Sequence, residues 1–198
     1  MFTAGTGLYL ATNHFSIHSH HRLPVLWIDR AIPFYPESVW IYISEWAFLP
    51  LAYLRCRDLV QLNRYVYSYL FLQLVCMVIF LVWPTTYPRE LYPINQATTG
   101  CWTYYALNSL RLTDTAANCC PSLHIAGVYL SIALFIEGKK WDYLFFLIWG
   151  ILIAISVLTT KQHYVIDLVV GLGVGAFIHW MFRHHVLYRR VSVEQVNA

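Results

Sequence analysis

Two histidines and an aspartate are the residues of this chain best suited to chemistry. His124 ends the run Asn118-Cys-Cys-Pro-Ser-Leu-His124, and His163 stands in Thr160-Lys-Gln-His-Tyr-Val-Ile-Asp167. An imidazole changes charge near neutral pH, so it can attack as a nucleophile or pass a proton. His163 and Asp167 are four residues apart, which on a helix places them within about 40° of one face, so the carboxylate can hold the ring. Pro121 suits the first turn of a helix, so Ser122 and His124 are expected at a helix start, where N–H groups and the dipole favour an anion. A lone histidine in an apolar helix usually satisfies a polar neighbour. Two imidazoles, one braced by a carboxylate, beside an anion site point instead to phosphoryl chemistry.

The elements that position them are apolar helices. The sequence predicts helices over 122–137, 141–160 and 163–182, the first two joined at Glu137-Gly-Lys-Lys140. At 1.5 Å per residue the outgoing helix covers about 24 Å and the returning one about 29 Å, so His124 and His163 come back to one level. Upstream, spans are predicted over 38–54, with Pro50 as a kink, and over 66–83. The stretch 84–121 is too long to lack structure, and a short helix over 96–110 is expected along the membrane surface above the site. Residues 1–15 are uncharged, lack a basic leader region, and are too short to cross about 30 Å of hydrocarbon as a helix. The expectation is an all-α polytopic membrane bundle of five full spans, with an optional short sixth N-terminal segment. It forms a single domain over 1–198 with its core over 29–182.

Composition agrees. Hydrophobic residues make up 59% and charged residues 12%, and mean hydropathy is +0.51, against about 25% charged residues in a soluble domain. The net charge of +3 lies in short clusters between apolar runs, which argues against a nucleic-acid surface. Of thirteen Lys and Arg residues, eight (Arg55, Arg57, Arg64, Lys139, Lys140, Arg183, Arg189, Arg190) fall on the side away from the motifs. The positive-inside rule then puts that side and the C-terminus in the cytoplasm, and the site on the non-cytoplasmic face. Five cysteines follow no metal pattern; a disulfide among Cys101, Cys119 and Cys120 is an open expectation. His14, His18, His20 and His21 read as an interfacial loop rather than a metal site, having no fixed carboxylate or thiolate beside them. Glu45 either touches substrate or pairs with a neighbour, the commoner fate of an intramembrane acid. Gly171-Leu-Gly173-Val-Gly175 is no nucleotide loop, since no strand precedes it; small residues so spaced allow close helix packing.

Pro121-Ser122-Leu123-His124 and Ser156-Val157-x5-His163-x3-Asp167 resemble the middle and last motifs of the type 2 phosphatidic acid phosphatase and vanadium haloperoxidase superfamily, P-S-G-H and S-R-x5-H-x3-D. The first motif of that superfamily, K-x6-R-P, is echoed only by Arg89-Glu90 after Pro84-Thr-Thr-Tyr-Pro88. The resemblance covers about residues 29 to 182. Leu123 for glycine, and Val157 for arginine, also resemble the inositol phosphorylceramide and sphingomyelin synthase branches, which pass a phospho-head group to a lipid alcohol.

Residue chemistry and resemblance imply the same roles. His163 attacks phosphorus, Asp167 holds its other ring nitrogen, and His124 protonates the leaving alkoxide and then activates the acceptor. Ser122, with N–H groups at its helix start, holds phosphate oxygens, and Arg89 is the best guanidinium; Arg111 is a weaker one. Lys161 either replaces the arginine lost at Val157 or is an interfacial snorkelling lysine. Asp114 and Asn118 are expected to shape the turn before Pro121. The expected activity is metal-independent and cofactor-free hydrolysis of a lipid phosphoester. The alternatives are a lipid phosphotransferase and a non-catalytic membrane scaffold. The partners implied are a lipid phosphate and membrane lipids; the sequence is silent on oligomeric state.

Overall fold

A computed structural model describes residues 2–14 and 18–184, so the expectations placed on Arg189, Arg190 and the C-terminal tail lie outside the described residues. Along the chain run α1 (Phe2–His14), β1 (His21–Arg22), α2 (Trp27–Ala31), α3 (Val39–Ile43), α4 (Glu45–Leu54), α5 (Leu59–Val82), β2 (Thr85–Thr86), α6 (Cys101–Thr113), α7 (Leu123–Ala133), α8 (Lys140–Thr159) and α9 (Val165–His184). The chain is mostly helical. The departure from an all-α expectation is one short parallel pair, in which His21 faces Thr85 and Arg22 faces Thr86.

Helix α7 is the axis of the bundle, packed by α4, α5, α8 and α9. Its residues Ile125, Ala126, Val128, Leu130 and Ala133 are buried on every side, as expected of a helix apolar all round. Close packing against α9 depends on two glycines. A Cβ at Gly171 would lie 2.6 Å from the Ser122 carbonyl oxygen, and one at Gly175 would lie 3.0 Å from that of Ala126. Gly173 has nothing within 4 Å, so the contact uses the i, i+4 pair and not the middle glycine.

Among the described residues three helices, α5, α8 and α9, are long and apolar enough to cross a membrane. Their outward faces carry Leu74, Val78, Ile148, Ile155, Val169 and Phe177, all exposed, which is stable only against lipid. The chain is therefore a membrane protein. Helix α7 is apolar but has 11 residues, about 16 Å rather than the expected 24 Å, because the chain leaves the helix at Leu134 in a run of turns.

Other boundaries move for local reasons. The expected kinked helix over 38–54 breaks at Ser44 rather than at Pro50, which sits inside α4. Ser44 Oγ donates to the Ile41 carbonyl at 2.6 Å and accepts Trp149 Nε1–H at 2.8 Å, and such back-bonding bends helices. Helix α5 begins at Leu59 instead of 66, because the Asp58 carboxylate caps it, accepting Gln61 N–H at 2.7 Å. Helix α6 begins at Cys101 instead of 96, since Asn95 Oδ1 accepts Ala97 N–H and closes a turn there. Helix α1 packs on α5.

Candidate active site

The first half of the site is the N-terminus of α7. Ser122 is its cap, accepting Ile125 N–H at 3.4 Å, so Pro121 lies before the cap and not in the first turn as expected. The approach is held by β2: Cys119 N–H donates to Thr85 O, and Cys120 N–H to Thr85 Oγ1 at 2.8 Å. Asn118 takes φ 59°, a left-handed conformation that asparagine tolerates, and its Nδ2 donates to Thr12 Oγ1. Burial raises the thiols of Cys119 and Cys120 to about 12 and about 11. All five cysteines are free, so no disulfide joins Cys101 to this loop.

The second half is the turn between α8 and α9. His163 does not open α9, as the sequence suggests, but lies two residues before it. Lys161 takes φ 56°, which costs a residue with a Cβ about 1–2 kcal/mol. The strain is held by the side chain. Its ammonium donates to the Asp29 and Ile32 carbonyls, both at 2.6 Å, and lies 5.0 Å from the Tyr92 ring centre. Lys161 is 1% exposed, so it does not snorkel at an interface; two of its three N–H donors anchor the 29–32 loop. Asp29 completes the latch. Its Oδ1 accepts Val165 N–H at 2.8 Å and its Oδ2 accepts Leu26 N–H at 2.8 Å.

Between these halves the rings of His124 and His163 lie 5.6 Å apart, centre to centre. His163 Nδ1 is 2.6 Å from Asp167 Oδ2 and 3.1 Å from the Cys119 carbonyl. Both partners only accept, so Nδ1 carries the proton and Nε2 of the neutral ring is a bare lone pair. Nε2 is buried and has no partner. The carboxylate is itself held: Asp167 Oδ1 accepts Tyr164 N–H at 2.8 Å and Leu168 N–H at 3.1 Å. The brace thus runs from a pre-helix turn to the first turn of α9, not along one helix face.

His124 meets a different set. Its Nε2 is 2.9 Å from the Tyr42 hydroxyl and 3.8 Å from Glu45 Oε2, while Nδ1 is buried without a partner. Glu45 therefore pairs with a neighbour, and that neighbour is His124. Nothing local in the sequence pointed to Tyr42 in this contact.

Arg89 is 8% exposed. It donates through Nη1 to the Asp114 carbonyl and through Nη2 to that of Gln162 at 3.3 Å, beside His163. Its Nε is buried and has no partner. Arg111 donates to the Tyr92 carbonyl at 2.8 Å and lies 5.5 Å from the Phe34 ring centre; burial lowers its guanidinium to about 10. The Gln162 side chain, overlooked in the sequence, is buried with neither amide atom bonded. Asp114 serves as a hub rather than a turn residue, accepting Tyr9 O–H at 2.7 Å and Asn13 Nδ2–H at 3.3 Å. Val157 is 0% exposed in the hydrophobic core. Among the described residues no three His, Cys, Asp or Glu side chains converge as metal ligands. Of the N-terminal histidines, His14 contacts the Thr113 carbonyl and His21 packs on Trp83.

A cavity of about 350 Å³ opens beside His124. Its walls include Ile43, Trp46 and Leu49 from α3 and α4, Tyr69 from α5, Ala106 and Leu110 from α6, and Tyr9 and Leu10 from α1, with Glu45, Gln73, Ser109, Thr113 and Asp114 as the polar groups.

A bare imidazole nitrogen thus faces a second imidazole at the ends of apolar helices. The profile of the PAP2 superfamily matches residues 14–181. The chain belongs to this type 2 phosphatidic acid phosphatase superfamily, with the match beginning earlier than the motifs alone indicate. Membership supports a phosphoesterase activity of the phosphatase type. No curated protein and no solved structure matches the chain.

Proposed function

We propose that the protein is an integral membrane lipid phosphate phosphatase working through a phosphohistidine. The observation that carries this reading is the unpartnered His163 Nε2, with its tautomer set by Asp167 and the Cys119 carbonyl, facing His124 across 5.6 Å. Nε2 attacks phosphorus, the P–N bond forms, and the ester P–O bond breaks. His124 gives its proton to the leaving alkoxide. It then takes a proton from water, whose oxygen attacks phosphorus as the P–N bond breaks and inorganic phosphate departs. Asp167 balances the charge that grows on His163. Arg89 Nε, the Ser122 hydroxyl and N–H groups of the first turn of α7 hold the phosphoryl oxygens. Lys161 acts at one remove by holding the turn that carries His163.

The cavity beside His124 supports a lipid substrate, because it stands where the protonated leaving group must go and its walls are mostly apolar. The remaining topology follows the same reading. Helices α5, α8 and α9 cross the membrane in full, and α3–α4 taken together and α7 with its flanking turns supply the two shorter passes of the five; α6 lies along the surface over the site; the site faces away from the cytoplasm. The buried Val157 and the Leu123 at the motif glycine favour, as the second reading, a lipid alcohol in place of water as acceptor.

The test is purified protein in detergent with a long-chain lipid phosphate, with and without a lipid alcohol. Free phosphate supports the phosphatase, and phosphorylation of the lipid alcohol, or transfer to it of the phospho-head group of an added phosphodiester lipid, supports the transferase. Loss of both products in His163→Ala, and inhibition by vanadate as a five-coordinate mimic, support the histidine mechanism. Full activity in His163→Ala overturns it.

A further inference from the structure

We infer that Glu45 is the positioning residue of His124, doing for this imidazole what Asp167 does for His163. The inference rests on the proposed phosphoryl chemistry and adds a residue to it. Glu45 is the first residue of α4 and is 3% exposed. Its Oε2 lies 3.8 Å from His124 Nε2 and has no hydrogen-bond partner. The Tyr42 hydroxyl, one turn earlier, approaches the same nitrogen at 2.9 Å. A buried carboxylate oxygen left without a donor is costly, and a cation that forms beside it offsets that cost.

The groups that face His124 are Tyr42 and Glu45 from α3 and α4, His163 ahead of α9, Asp114 at the end of α6, and Arg89. Asp114 Oδ1 accepts from Tyr9 and Asn13, and its Oδ2, which like Glu45 Oε2 has no hydrogen-bond partner, faces the permanent cation Arg89 at 4.0 Å. Among the described residues the ion-pair partner of Glu45 is His124. With Nε2–H turned toward Glu45 and Tyr42, the other nitrogen, Nδ1, carries the mobile proton. The imidazolium, held against Glu45, gives its Nδ1 proton to the departing alkoxide. The neutral ring then recovers one proton from the attacking water, so the pair ends as it began.

The test compares wild type, Glu45→Gln and Glu45→Asp on a long-chain alkyl phosphate and on p-nitrophenyl phosphate, reading kcat/KM. The alkoxide needs a proton to leave and p-nitrophenolate does not. Glu45→Gln is expected to lower kcat/KM on the alkyl phosphate about 100-fold, and on p-nitrophenyl phosphate less than about 5-fold. It also moves the alkaline limb of the alkyl phosphate profile down by about one pH unit or more, because losing the carboxylate weakens the imidazolium. Glu45→Asp recovers part of the loss. Equal losses on both substrates, or an unchanged alkyl phosphate rate, overturn this role while leaving the phosphatase reading standing. A wild type that releases phosphate from neither substrate overturns both.

Discussion

Replacing Gly171 by alanine tests whether the helix contact sets the site. The new Cβ would sit 2.6 Å from the Ser122 carbonyl oxygen, an atom of backbone that cannot rotate aside. Relaxing this to an ordinary contact of 3.4 Å moves the start of α7 by about 0.8 Å. Overpacking of this kind costs about 1–3 kcal/mol, offset in part by the roughly 0.5–1 kcal/mol that alanine gains over glycine in a helix. The net loss is about 1–2 kcal/mol, a fall in Tm of about 2–8 °C. The shift also carries His124 away from His163, and a displacement near 1 Å costs about 100-fold in rate. Gly173→Ala is the control, since nothing lies within 4 Å of its Cβ. The assay is phosphate release and thermal unfolding of both variants in one detergent. Wild-type rate and Tm in Gly171→Ala, or equal damage in Gly173→Ala, would refute the argument.

Asp167→Asn should abolish the nucleophile without unfolding the protein. The amide oxygen keeps the Tyr164 and Leu168 N–H bonds, the amide N–H turns to His163 Nδ1, and the proton moves to Nε2; kcat falls about 10³–10⁴-fold at unchanged Tm, and a loss under tenfold would count against the tautomer argument. Lys161→Met should act on stability, leaving the Asp29 and Ile32 carbonyls unpaired at about 1–3 kcal/mol each; an unchanged Tm with a raised KM would restore Lys161 as a phosphate ligand. Cys119 and Cys120 should resist alkylation at pH 8, where a thiol raised to about 12 is about one part in ten thousand thiolate, while exposed Cys101 reacts. Mass spectrometry of alkylated protein without reductant checks this, and a mass two hydrogens low would reveal a disulfide.

The sequence by itself determined which stretches form apolar helices, because hydropathy is a property of contiguous residues. The motifs around Pro121 and His163 were legible for the same reason. So are the local caps: Asp58 and Asn95 announce the turns that begin α5 and precede α6. The meeting of His124 and His163 needed the turns around α7 as well, since α7 has 11 residues against 20 in α8. Tertiary structure decided what each polar side chain meets. Tyr42 and Glu45 reach His124 from about 80 residues away, Asp29 bonds Val165 N–H, and Lys161 reaches back to carbonyls at 29 and 32. Such partners depend on how each helix is rotated about its axis, and one residue turns the face by about 100°. That rotation is set by contacts such as Gly171 and Gly175 against α7, which join residues far apart in the chain and leave no local trace in it.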